Sequence, residues 1–232
     1  MALSKGKQNN QILVIEPNST LWSYYSHTKS SPKLMEIGQA FQSFVTDLEK
    51  NQVEYDLGSE NIIKDYGTVE DGKFVIGQAA YSIVVLPPMM ETLNKPTFDL
   101  LQKFVEKGGK LICFSAPNRL DGAEDSKLSE LLSAQSVVSV PVLTKEVIQE
   151  YFENKDCLFA FSGGNFYHQR REFADGELLF LVNSSMDEIS KGTISMKGKS
   201  VLRLDAMQGK IYEYPVEQKL LTEPIVIPII WN

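Results

Sequence analysis

Residues 81–115 read YSIVVLPPMMETLNKPTFDLLQKFVEKGGKLICFS, and this stretch decides the fold. Ser82-Ile83-Val84-Val85-Leu86 is continuously apolar and β-branched, as a strand covered on both faces must be. Pro87-Pro88 ends it. Asn94 is placed to cap a helix in which Phe98, Leu101, Phe104 and Val105 form one apolar stripe. Gly108-Gly109 stops that helix. Leu111-Ile112-Cys113-Phe114 is the next buried run. Strand, helix and strand in this order form a crossover, and a crossover joins parallel neighbours.

The same rhythm extends both ways. Ile12-Leu13-Val14-Ile15 is a first buried strand, ended by Pro17. A polar and aromatic loop, NSTLWSYYSHTKSSP, follows it. Leu34, Ile37, Phe41, Phe44, Val45 and Leu48 recur at helical spacing, so 33–51 is an amphipathic helix opened by Pro32. The second strand is 53–57. Asp71-Gly72 suggests a hairpin in the excursion before the third strand. Leu128, Leu131 and Leu132 mark a short helix and 137–140 a fifth strand. Thr144 is placed to cap a last helix. The expected strand order is 2-1-3-4 and its continuation.

After about residue 154 the helices stop. Candidate strands follow one another at 157–161, 166–172, 177–183, 192–196, 200–205, 210–214 and 225–230, with Asp175-Gly176 as a hairpin turn. The expected fold is therefore an α/β domain over 11–154 and a β-rich, sandwich-like antiparallel domain over 155–232.

Composition narrows the function classes. The chain has 232 residues, 43% hydrophobic and 23% charged, and a net charge of −7. That balance supplies a core and argues against a nucleic-acid partner, which selects a basic face. Two cysteines, Cys113 and Cys157, make no disulfide framework and have no metal-type neighbours. No apolar run reaches the length of a membrane span. MALSKGKQNN carries charge without an apolar stretch behind it, so it is no secretory signal. The expected location is cytoplasmic if the chain is complete, and periplasmic or secreted if it is part of a larger enzyme. No G-x-G-x-x-G or Walker pattern is present, and no cofactor or metal is expected.

Several segments carry a resemblance. ILVIEPNSTLWSYY, EYDLGSENII, GKFVIGQAAYSIVVLPPMMETLNKPTFDLLQKFVEKGGKLICF and FYHQRREFADGELLFLVNSS occur in that order. Together they resemble the part of an α-L-rhamnosidase-type glycoside hydrolase, of glycoside hydrolase family 106, that follows the catalytic barrel. The first half is also similar to the flavodoxin-like domain of family 42 β-galactosidases and, more distantly, to class I glutamine amidotransferases. Leu204-Asp205-x-x-x-Gly209-Lys-Ile211 is similar to a W-D-P-x-T-G turn of the family, from which Leu204 and Met207 depart. The resemblance implies an accessory module without catalytic residues of its own. It implies a catalytic barrel, or a second copy of the chain, as partner, with an oligosaccharide as a further candidate.

Candidate sites follow from the residues themselves. In the amidotransferase pattern Cys113 would be a nucleophile, but Phe114-Ser115 replace the glycine elbow and the downstream His168 falls in the β-rich half. Glu16, Asp56 and Glu60 are expected at or just past the carboxyl ends of the first two strands, where ligands of open α/β sheets bind. Paired carboxylates could serve hydrolysis there; solvated strand-end acids are the plainer reading. Gly58 and the 17–20 loop could cradle an anion. Trp22, Tyr24, Tyr25 and His27 form an aromatic group after the first strand. Exposed, they are recognition surface; packed on helices, they are core. With Glu60 and Met89 they define the expected binding rim. His168, Arg170 and Arg171 form a polar cluster on one strand, for an anion or for ion pairs with Glu172, Glu177 or the first domain. Asn183 is expected to order the turn after its strand.

Overall fold

The computed structural model describes residues 2–8, 10–205, 208–217 and 224–231. They form two units, one of residues 10–152 and one combining the described parts of 1–9 and 153–232.

In the first unit the buried runs become strands of one parallel sheet: β1 Ile12–Ile15 and β2 Tyr55–Gly58, with α1 Asn18–Tyr24 and α2 Pro32–Lys50 between them. Next come α3 Glu60–Tyr66 and a three-stranded antiparallel excursion, β3 Gly67–Glu70, β4 Lys73–Ile76 and β5 Ala79–Tyr81. Asp71 and Gly72 close its first hairpin, both at positive φ, as a two-residue turn between right-twisted strands requires. The sheet resumes with β6 Ile83–Leu86, then β7 Thr92–Leu93, α4 Lys95–Glu106 and β8 Lys110–Cys113. Short β9 Arg119–Leu120 and β10 Ala123–Glu124 precede α5 Lys127–Leu132, β11 Val137–Ser139 and α6 Lys145–Val147. A wider helical turn continues α6 over Ile148–Phe152.

The sheet order is β2-β1-β6-β8-β11, with every pairing parallel. That is the 2-1-3-4-5 order of a flavodoxin-like sheet. Period-two alternation divides the strand side chains between two cores. Leu13, Ile15, Val84, Leu86 and Leu111 pack with Ile63 of α3 and with Phe98, Leu101 and Phe104 of α4. Ile12, Val14, Val85 and Ile112 pack with Phe44, Val45 and Leu48 of α2. The central strands β1, β6 and β8 are covered on both faces, which is why they read as unbroken apolar runs.

Three expectations are corrected here. The segment after β1 is not a loop, since residues 18–24 form α1. Helix α3 was not foreseen; its seven residues show too little period to announce it. Asn94 stands at the cap position of α4, but its side chain makes no capping bond.

The described strands of the second unit all pair antiparallel. Its strands are β12 Cys157–Ser162, β13 Phe166–Phe173, β14 Gly176–Asn183, β15 Ser190–Met196, β16 Val201–Asp205, β17 Lys210–Tyr214 and β18 Ile225–Trp231. They form a β12-β15-β18 sheet and the β13-β14 and β16-β17 pairs. Cys157, Ile194, Ile225, Ile227 and Ile229 make its core, with Leu179, Leu181 and Tyr214 packed against them. Phe173 pairs with Gly176, so the hairpin turn is Ala174-Asp175, one residue earlier than expected. Lys7 extends β13 by pairing its backbone with Glu172 in both directions at 2.8 Å.

Candidate functional site

A doubly wound sheet opens a crevice where its strand order reverses, at the carboxyl ends of its strands. Here the chain runs from β1 outward to β2, then back across β1 to β6. A cleft of about 630 Å³ lies beside that switch point. This volume is within the range, about 300–1,000 Å³, usual for small-molecule sites. Helix α1 contributes Asn18, Ser19, Trp22 and Ser23 to its wall. The turn from β2 into α3 contributes Ser59, Glu60 and Asn61. Thr92, Asn94, Asp121 and Gly122 complete it.

The local sequence explains why these elements meet. Gly58 ends β2 against Leu13, whose Cδ1 would lie 2.8 Å from an added Cβ, so the chain turns close over β1. Thr20, fully buried, accepts from the backbone N–H groups of Glu91 at 3.0 Å and Thr92 at 3.1 Å, tying α1 to β7. Thr92 Oγ1 in turn accepts from Gly122 N–H at 3.1 Å. Asp121, in the left-handed region at φ 49, accepts from Lys95 N–H at 3.1 Å.

Glu60 forms the buried part of the wall, 2% exposed. Its Oε2 accepts from Asn94 N–H at 2.7 Å, and its Oε1 lies 2.6 Å from Ser19 Oγ. Burial pushes its carboxyl above the usual range. The bonds from Ser19 and Asn94 oppose that rise, and the charge of Asp121 adds to it. Thr97 Oγ1 also opposes it, although this buried hydroxyl has no hydrogen bond of good geometry.

Trp22 and Tyr25 are 70% and 55% exposed, and their rings meet edge to face at 5.2 Å. Trp22 borders the cleft, while Tyr24, Tyr25 and Met89 do not line it. Tyr24 instead donates its hydroxyl to Glu91 Oε2 at 2.6 Å. Met89 sits half-buried at φ 62 in the turn after β6. Ser115 Oγ holds that turn, donating to Pro87 O and accepting from Met90 N–H. His27 is exposed.

The three carboxylates do not gather as expected. Glu16 follows β1 and accepts from Asn18 Nδ2 at 3.0 Å. Asp56 is at the opposite end of the sheet. It is bound there by Tyr81 Oη and Asn10 Nδ2, from segments that precede β6 and β1. It is the second residue of β2, which starts at Tyr55 rather than at the expected residue 53. Cys113 is buried at the end of β8, and burial pushes its thiol up to about 12. A neutral, enclosed thiol is a poor nucleophile. The expected 17–20 anion cradle is instead the start of α1, whose side chains face Glu60 and Glu16.

In the second unit, His168 packs its ring 4.1 Å from that of Phe159. Arg170 pairs with Glu177 at 3.3 Å. Arg171 donates from Nε to Lys5 O and from Nη2 to Gly6 O. Asn183 Oδ1 accepts from Asn165 and Ser185 N–H while its Nδ2 donates to Glu188 O, which orders the turn after β14. Asp205 Oδ1 accepts from Gln208 N–H at 2.9 Å. Met207, within the W-D-P-x-T-G-like segment, lies outside the described residues.

Among the described residues, no group of three or more His, Cys, Asp or Glu side chains could hold a metal ion. No described helix is long and apolar enough to cross a membrane, which leaves β-barrels unaddressed.

No family model matches the chain. No curated protein matches it either. Among solved structures it is similar to a rhamnosidase from Novosphingobium sp. PP1Y, with TM-score 0.67 and 13% identity. The match covers 99% of this chain and 22% of the rhamnosidase, so the chain spans about a fifth of that protein's length. At that identity the likeness is one of fold.

Proposed function

We propose that this chain is a non-catalytic accessory module of a rhamnosidase-like glycoside hydrolase, working in domain packing, assembly or weak carbohydrate contact. One observation carries the reading. The structural likeness runs through nearly the whole chain, α/β unit and β-rich unit together, yet through only 22% of a rhamnosidase. The segments quoted above resemble the region after the barrel in such enzymes, where catalytic carboxylates are not found. The expected partner is a catalytic barrel or a second copy of the chain. Trp22 and Tyr25, exposed side by side, are suited to anchoring such a contact.

The chemistry of the α/β unit agrees with this. The Cys113 thiol is buried and neutral, and His168 belongs to the other unit. Purified protein is expected to show no turnover of aryl α-L-rhamnosides, aryl β-galactosides or glutamine. Turnover that disappears in Cys113→Ser, Glu16→Gln or Glu60→Gln would overturn the reading in favour of a small hydrolase.

A further inference from the structure

We propose that the cleft between α1, the β2–α3 turn and the β7–α4 segment is a binding site for a neutral, polyhydroxylated ring of pyranoside size. This deepens the accessory-module reading, on which its carbohydrate setting rests.

The lining chemistry selects the ligand class. Among the described residues no lysine, arginine or histidine lines the cleft, whereas Glu60 and Asp121 both do. An anionic ligand would meet the exposed Asp121 carboxylate and no cation among the described lining residues. The other polar walls are amides and hydroxyls, led by Asn18, Ser23, Asn61 and Asn94. Each of these groups both donates and accepts. They match a ligand whose own groups do the same, and hydroxyls do so most simply. A carboxylate that accepts from a hydroxyl makes the stronger, charge-assisted bond. Asp121 is the exposed carboxylate at this wall, and only its Oδ1 is engaged by Lys95 N–H among the bonds described above.

The one large apolar element is Trp22. A single aromatic face in an otherwise polar cleft fits a ring with one apolar C–H face and a polar perimeter. A planar heterocycle would gain little here, since no second aromatic or large aliphatic side chain lines the cleft among the described residues. The site is also built in advance. Ser19, Glu60 and Asn94 are bonded to one another, and Thr20 and Thr92 fix the two segments that carry the rest. A preformed wall needs no reordering when a ligand enters.

The test is titration of the full chain with methyl α-L-rhamnopyranoside, methyl β-D-galactopyranoside and methyl α-D-glucopyranoside. Ligand-observed NMR and tryptophan fluorescence report binding. Glucuronate, glucosamine and adenosine serve as charged and planar competitors. At least one neutral pyranoside is expected to bind saturably. Trp22→Ala should weaken it about tenfold, Trp22→Phe less. Asp121→Asn should weaken it as well. Asparagine tolerates the left-handed backbone and keeps an Oδ1 for Lys95 N–H, so this variant preserves the fold. Unchanged thermal midpoints in Trp22→Ala and Asp121→Asn would certify that both remain folded. The proposal is overturned if no neutral pyranoside binds, if the variants bind as the wild type does, or if glucuronate, glucosamine or adenosine binds in preference. Turnover is read separately. Absent binding with absent turnover removes the site and leaves the accessory-module reading standing, whereas turnover removes that reading.

Discussion

Glu60 shows what a buried carboxyl does to its neighbours. Ser19 Oγ lies 2.6 Å from Glu60 Oε1 and 2.9 Å from Asn94 Oδ1, one hydroxyl hydrogen between two acceptors. Either Glu60 carries a proton and donates it to Ser19 Oγ, or the Asn94 amide turns its nitrogen toward Ser19. Burial, which raises the Glu60 pKa, favours the first arrangement. A raised folded-state pKa means the folded protein holds the proton more tightly than the unfolded chain. The contribution to stability is then greatest below the ordinary glutamate pKa and falls as pH rises through the folded value. Glu60→Gln mimics the protonated acid, with Nε2 donating to Ser19 Oγ and Oε1 accepting from Asn94 N–H. Denaturant titrations from about pH 4 to pH 8 should therefore show the variant gaining on the wild type as pH rises. Parallel curves would place the hydrogen on Asn94 instead. Glu60 was legible as a strand-end acid because Gly58-Ser59 marked the turn before it. Its burial was not, since that depends on Ser19 and Asn94, which are 41 and 34 positions away.

The elements followed their periodicity where that periodicity was long. Helix α4 announced itself through Phe98, Leu101, Phe104 and Val105, all buried as the stripe requires. Leu101 is fully enclosed, so Leu101→Ala should cost roughly 2–5 kcal/mol, read as a shift in denaturation midpoint at constant slope. Trp22→Ala, on an exposed face of α1, should stay within about 0.5 kcal/mol of the wild type. Equal losses in the two variants would contradict this division between core and surface. Short elements escaped the reading for a physical reason. Helices α1 and α3 have seven residues each, barely two turns, and tertiary bonds such as that of Thr20 to β7 hold them in place. The β-rich half was more legible because period-two alternation and turn residues are local signals. Which strands pair is not local, so the β12-β15-β18 sheet could not be read from spacing.

At the scale of the molecule, each unit has its own apolar core, and residues 2–8 belong with the β-rich one. No composition or period marked that affiliation, because it rests on backbone bonds between Lys7 and Glu172 and on the Arg171 guanidinium donating to the Lys5 and Gly6 carbonyls. Gly6 suits the approach: at φ 71, an added Cβ would meet Glu172 O at 2.6 Å. Deleting residues 2–8 should destabilise the β-rich unit by roughly 1–3 kcal/mol and leave the α/β unit unchanged. Hydrogen exchange at β13 and β1 reads the two separately, and equal loss of protection at both would refute the division. The Arg171–Lys5 bond joins residues 166 positions apart in sequence. During synthesis residues 5–7 therefore emerge long before Arg171 exists. The whole α/β unit is translated in between, and its collapse replaces a long floppy closure with a short effective one. Of the two units the β-rich one is thus completed later, and its strand β13 waits with an unpaired edge until residues 5–7 return to cover it.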